Sequence, residues 1–338
     1  MLPFDCVFIS DIPSYRPISF SDRIVFELKR AVSDKPMTRQ TISYLTKRFE
    51  EVGIRPKSHH GQNFLIDLNL LEMIAATAKL EPTDVVLEVG TGTGSLTALM
   101  APQVAEVVTV DVDPQMHQLA SEELIDFDNI TLRLHDALAG KHRLDPELME
   151  VVAAKLAVNP RRRFKLVSNL PYHIATPLIS NLLMGPLVPR TMTVTIQKEL
   201  GERICAAPST RDYSALSVWV QCQCEARIVR VMAPTVFWPR PKVDSAIVQI
   251  ELDDAKRAAI GDFAYFHHFT RTIFLQRRKF LRTALVNAFK EQLSKQQIDA
   301  VLTRLGFHES CRAEELPWQE LLRLSMAMQA ETASSPPA

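Results

Sequence analysis

Asp84-Val85-Val86-Leu87-Glu88-Val89-Gly90-Thr91-Gly92-Thr93-Gly94-Ser95-Leu96-Thr97-Ala98-Leu99-Met100 decides the fold of this 338-residue chain. An apolar run, glycines at alternate positions and a second apolar segment predict strand, tight turn and helix. Glycine lets the main chain take positive φ and lets a ligand come close to it. A dinucleotide fingerprint needs G-x-G-x-x-G, whereas the spacing here is G-x-G-x-G. Glu88, two residues before the first glycine, is also an unwelcome neighbour for a phosphate. The loop therefore suits S-adenosylmethionine, which has no pyrophosphate, better than the nicotinamide cofactor of an oxidoreductase.

Three further strands extend the pattern downstream. Val107-Val108-Thr109-Val110 is short and β-branched and ends at Asp111, about 20 residues after the glycine loop, where an acid bonds ribose hydroxyls in nucleoside-binding α/β folds. Ile130 to His135 ends at Asp136, placed to accept from an adenine amine. Phe164-Lys165-Leu166-Val167-Ser168 runs into Asn169-Leu170-Pro171-Tyr172. Each acid alone reads as a helix cap or a solvated loop residue. Gly90, Asp111, Asp136 and Asn169 together place four groups along the carboxyl edge of one parallel sheet, where open α/β folds bind ligands.

The Asn-Leu-Pro-Tyr stretch carries the chemistry. The Asn169 side-chain carbonyl and the Leu170 main-chain carbonyl can both accept from a flat exocyclic amine. Pro171, with no N–H and a fixed φ, stiffens the turn. Tyr172 offers a ring face on which a base stacks. Alone the stretch also reads as a strand-end turn; as a site it suits methylation of an amine by positioning, with no strong base, because the proton can leave after transfer.

The chain resembles the KsgA/RsmA ribosomal RNA adenine dimethylase family. The resemblance rests on His60-Gly61-Gln62-Asn63-Phe64-Leu65-Ile66-Asp67, on the glycine loop, on His135-Asp136-Ala137-Leu138 and on Ser168-Asn169-Leu170-Pro171-Tyr172. It continues through Gln197-Lys198-Glu199-Leu200-Gly201-Glu202-Arg203, Asp212-Tyr213-Ser214-Ala215-Leu216-Ser217 and Val236-Phe237-Trp238-Pro239-Arg240-Pro241-Lys242-Val243-Asp244-Ser245-Ala246. It implies an α/β, Rossmann-like class I methyltransferase fold: a mostly parallel seven-stranded sheet with a small all-α C-terminal domain. It also implies Asn63, Leu65, Gly90, Asp111, Asp136 and Asn169 at S-adenosylmethionine, and Tyr172 and Phe237 sandwiching the target base. The expected substrate is a pair of adjacent adenosines in the hairpin near the 3′ end of small-subunit rRNA, within an immature 30S particle. The family usually has Glu where this chain has Asp111. Alternatives are a large-subunit rRNA methylase of the macrolide-resistance type and a non-catalytic RNA-binding assembly factor.

Charge is balanced overall but unevenly placed. Residues 57–150 carry a net −11, residues 151–250 a net +8 and residues 256–330 a net +5. A basic surface for RNA phosphates can thus coexist with an acidic cofactor half. Arg277, Arg278, Lys279 and Arg282 fall in a stretch, 263–290, with apolar residues at helical spacing, and are the expected RNA contacts. The expected organisation is an irregular leader (1–36), an N-terminal helix (37–56), a methyltransferase domain (57–252), a helical RNA-contacting domain (256–330) and a disordered tail (331–338). Of the five cysteines, Cys222 and Cys224 lie in a strand-like run and read as buried thiols on one face. No metal site, membrane span or signal peptide is expected, and a cytoplasmic monomer is the default.

Overall fold

The computed structural model describes residues 63–140 and 143–334, together with Ser43, Leu45, Lys47 and Phe49 of a preceding helix. Every described residue belongs to the unit Arg39–Ala338. The expected leader, most of the expected N-terminal helix and residues 335–338 lie outside the described residues.

Strand β1 (Phe64–Leu65) leads into α1 (Leu68–Thr77), which Asp67 caps by accepting from the Asn69 and Leu70 N–H groups. Next come β2 (Asp84–Val89), α2 (Ser95–Met100), β3 (Glu106–Asp111), α3 (Pro114–Glu123), β4 (Ile130–Leu134) and α4 (Pro146–Ala157). They are followed by β5 (Arg163–Asn169), α5 (Tyr172–Met184), β6 (Thr191–Gln197), α6 (Lys198–Cys205), α7 (Ala215–Gln221) and β7 (Cys224–Met232). Strands β8 (Phe237–Trp238) and β9 (Ser245–Leu252) precede the terminal helices α8 (Asp254–Ala258), α9 (Phe263–Phe274), α10 (Leu281–Phe289), α11 (Lys295–Leu305) and α12 (Trp318–Ser334).

Seven strands form one sheet in the order β4-β3-β2-β5-β6-β9-β7. The pairs from β4 through β6 are parallel, and β9 runs antiparallel to both β6 and β7. Strand β2 is buried on both faces, which is why it reads as a continuous apolar run. Val85, Leu87 and Val89 enter one core, while Val86 packs into a second core with α1 and α2. Strand order reverses around β2, with β3 on one side and β5 on the other, and the crevice above that switch point is where such sheets take ligands. This is the class I methyltransferase fold.

The helices after β9 do not carry a core of their own. Phe266, Phe269, Ile273, Leu285, Val301, Leu321 and Met328 belong to the same apolar cluster as Leu87 and Leu166 of the sheet. Tyr213 joins the two regions: its ring meets Phe274 at 5.9 Å and its hydroxyl donates to the Leu316 carbonyl at 2.9 Å.

Three local expectations need correction. The basic cluster 276–279 does not ride on one long helix, because α9 ends at Phe274 and α10 begins at Leu281. The intervening turn is held by the Leu281 N–H donating to the Cys311 carbonyl at 2.7 Å. Helix α12 continues to Ser334, so residues 331–334 are helical, not tail. Cys222 closes α7 and only Cys224 is in β7, although both thiols are buried and burial raises both above the usual range.

Candidate active site

A cavity of about 450 Å³ opens at the carboxyl edge of β2, β3, β4 and β5. Gly90 and Gly92 lie at φ +88° and +55°, a region that disfavours side chains. A Cβ at Gly90 would sit 3.2 Å from Pro171 Cδ, so the glycine loop lies directly against the Asn-Leu-Pro-Tyr turn. The loop is held from below: Gly90 and Thr91 donate to the Val110 carbonyl at 2.8 and 3.2 Å.

Three carboxylates border the cavity. Glu88, 1% exposed, accepts through Oε2 from the hydroxyls of Thr97 at 2.5 Å and Thr109 at 2.8 Å. Burial pushes its carboxyl up to about 8, against the pull of those two hydroxyls. Asp111 accepts from the Gly92 N–H through Oδ2 and from the Asp113 N–H through Oδ1, both at 2.9 Å. Burial also raises its carboxyl, while the two amides oppose the shift. Asp111 therefore braces the glycine loop, and each of its oxygens keeps lone-pair capacity for a ribose hydroxyl. Asp136 is exposed at the far rim, where it caps the Leu138 N–H at 2.9 Å.

Asn169 ends β5 with its side-chain amide already engaged. Its Nδ2 donates to the main-chain carbonyl of Asn63 at 2.9 Å, and no described residue pairs with Oδ1. The amide orientation is thus set, with the accepting end left for a ligand. Leu170 is anchored by its N–H to the Thr195 carbonyl at 3.1 Å. Tyr172 opens α5 and lines the cavity, and its hydroxyl meets Ser245 Oγ at 2.6 Å. Burial raises its phenol above the usual range.

The cavity lining brings together Asn63, Leu65, Gly90, Asp111, Asp136, Asn169, Leu170, Pro171 and Tyr172. Phe237 stands apart. It is 1% exposed, packs in the core beside Leu65, Met232 and Ile247, and does not line the cavity. Its strand β8 pairs antiparallel with β1, Leu65 opposite Phe237, and that pairing points the ring into the core. Residues missed from the sequence include Phe64, Val112, Met116 and His135. Val112 carried a signal: it directly follows the strand-end acid, and at 52% exposure it is an apolar side chain free to cover one face of an adenine.

The residues fit S-adenosylmethionine. Positive-φ glycines leave room along the main chain, Asp111 and Asp136 border the cavity with acceptors for a cationic nucleoside, and the described lining contains no Lys or Arg for a pyrophosphate.

The basic cluster lies in the turn between α9 and α10. Arg277 donates through Nη1 to the Tyr213 carbonyl at 2.5 Å and pairs with Glu314 at 3.5 Å. Arg282 forms a two-pronged pair with Asp299 at 2.6 and 2.8 Å. Arg278 and Lys279 are exposed. Among the described residues no helix is long and apolar enough to cross a membrane.

A sequence model of the family described as ribosomal RNA adenine dimethylase matches residues 54–329. The chain is 36% identical over 282 residues to the ribosomal RNA small subunit methyltransferase A of Geobacillus kaustophilus, covering 82% of this chain and 93% of that one. It is 33% identical over 276 residues to the protein of the same name from Clostridium acetobutylicum, covering 82% and 95%. In architecture it is similar to a dimethyladenosine transferase from Plasmodium falciparum, with TM-score 0.66, 24% identity and coverage of 78% and 97%. It is also similar to the 23S rRNA methyltransferase ErmE, with TM-score 0.56, 24% identity and coverage of 79% and 100%. With the family match running from before the glycine loop to the last helix, the chain belongs to the ribosomal RNA adenine dimethylases.

Proposed function

We propose that this enzyme uses S-adenosylmethionine to dimethylate the N6 amines of two adjacent adenosines in the hairpin near the 3′ end of small-subunit rRNA. The observation that carries the reading is Asn169, whose NH2 is tied to Asn63 and whose Oδ1 is left to accept at the cavity.

An adenine amine is a weak nucleophile because its lone pair is delocalised into the ring. Accepting its two N–H bonds at Asn169 Oδ1 and the Leu170 carbonyl turns that lone pair out of the ring plane and toward the cofactor. Tyr172 stacks on the base once it has left its helix. When bound, the cofactor would supply an activated methyl for the nitrogen lone pair, with the C–S electrons returning to sulfur and one amine proton passing to water. The protein's part is orientation and charge placement. Glu88, Asp111 and Asp136 hold the cofactor side, with Asn63 and Leu65 closing over it. Phosphate contact falls to the exposed Arg278 and Lys279, since Arg277 is engaged by the Tyr213 carbonyl and Glu314 and Arg282 by Asp299. The substrate form is an immature 30S particle, and the enzyme acts as a cytoplasmic monomer with residues 57–252 for chemistry and 256–330 for RNA.

Mass spectrometry of small- and large-subunit rRNA after incubation of both precursor particles with the enzyme and cofactor tests this reading. Adjacent dimethyladenosines near the 3′ end are expected. Dimethyladenosine confined to large-subunit RNA replaces the target.

A further inference from the structure

We infer that Ser245 is a positioning residue for methyl transfer, and that its hydroxyl, by fixing the ring of Tyr172, matters most for the second methylation. The inference rests on the functional reading above.

Tyr172 is held at two points. Its main chain begins α5 directly after Pro171, and its hydroxyl lies 2.6 Å from Ser245 Oγ. A Tyr side chain has two free torsions, and this second tether restricts both. The anchor itself is rigid. Ser245 is fully buried at the start of β9, where its main chain is paired on both sides, with Gln197 of β6 and Met232 of β7. No other hydrogen bond occupies the Ser245 hydroxyl, so holding Tyr172 is its one visible use among the described residues. The ring that meets the base is thus preset in angle before RNA arrives.

The two methylations do not use this ring equally. An unmodified adenine presents two N–H bonds, one each for Asn169 Oδ1 and the Leu170 carbonyl. After the first transfer the nitrogen carries one N–H and one methyl, so one acceptor has lost its donor. Hydrogen-bond positioning is halved while the stacking surface is unchanged. Alignment in the second round therefore leans on the Tyr172 ring, and on whatever fixes that ring.

The test is single-turnover methylation of precursor small subunits by Ser245→Ala, Tyr172→Phe and the double variant, with mono- and dimethyladenosine separated by mass spectrometry. Both single variants should slow the second transfer about tenfold relative to the first, so that monomethyladenosine accumulates. The double variant should match either single one, because both remove the same bond. Cofactor affinity by calorimetry should equal the parent's. A purely structural loss would lower both rounds together and leave the product ratio unmoved. A parental ratio in both single variants, or additive effects in the double, overturns the inference. If Ser245→Ala does not fold, Tyr172→Phe breaks the same bond from the cavity side and decides alone. If the parent enzyme makes no dimethyladenosine, the functional reading falls and this inference with it.

Discussion

The two ends of one sheet use the same residue types in opposite ways. At the amino end of β2 and β5, Lys165 spends all three of its N–H donors inside the protein: on Asp84 Oδ2 at 2.7 Å, on the Ala78 carbonyl at 3.2 Å and on the Lys79 carbonyl at 2.6 Å. Asp84 Oδ2 also accepts from the Glu81 N–H at 2.7 Å. At the carboxyl end, Asn169 uses its NH2 and keeps its carbonyl, and Glu88 loads Oε2 with two hydroxyls while no described group pairs with Oε1. Asp84 Oδ1 is buried and has no partner among the described groups, so an open acceptor alone does not mark a site. Lys165 with all three donors used marks a brace, and an open acceptor beside a cavity marks a site. Residue identity alone does not separate the two.

The contrast is sharpest in stability. Lys165→Met should cost about 3–5 kcal/mol, because it strands Asp84 at 0% exposure without its cation. Chemical denaturation measures the loss, and methylation by the folded fraction should match the parent. A variant of parental stability erases the distinction between the two ends.

Next in size is Asn169→Ala, expected to slow methyl transfer by about 10²-fold or more with stability and RNA affinity retained. Single-turnover rates and RNA titrations read both quantities. Parental dimethylation would make Asn169 a turn residue and no more.

A smaller effect comes from Glu88, since the adjoining cavity admits water and softens the burial penalty. Its folded pKa, about 8, lies above the ordinary carboxylate value of 4.5, so between those values the folded state holds the extra proton. Stability of the cofactor-free protein should therefore be highest below that window and fall as pH rises through it. Glu88→Gln should flatten the fall, as read by melting temperature from pH 5 to 8.5. Equal slopes for parent and variant would mean that the carboxyl ionises normally.

The smallest change is at the RNA surface. Arg278→Ala and Lys279→Ala should each lower the slope of log affinity against log salt by about one. Arg277→Ala should instead lower the melting temperature, because it holds the Tyr213 carbonyl and Glu314. If Arg277→Ala changes only the salt slope, the division of labour within the cluster is wrong.

What the sequence revealed and what it hid follow one rule. Gly90, Asp111, Asp136 and Asn169 were legible because each follows a short apolar strand, so local pattern places them at one sheet edge. Phe237 was not legible, because its burial comes from β1 pairing across more than 170 residues, and nothing near Phe-Trp-Pro announces that partner. The helix read through 263–290 failed for a related reason. Apolar spacing continues across the turn, but the Leu281 N–H goes to Cys311, a partner no local pattern encodes. The Tyr172–Ser245 and Lys165–Asp84 contacts, 73 and 81 residues apart, were invisible on the same ground.

The contact between Gly90 and Pro171 bears on how such a sequence can change. The two residues are 81 positions apart, yet a single added methyl at Gly90 would press on the Pro171 ring at 3.2 and 3.3 Å. Any side chain at 90 thus moves the amine-holding turn away from the methyl it must meet, even where cofactor still binds. The glycine loop and the Asn-Leu-Pro-Tyr turn are therefore coupled by direct contact. A library that randomises position 90 should recover mostly glycine even where position 171 is opened as well, because the backbone there sits at φ +88°.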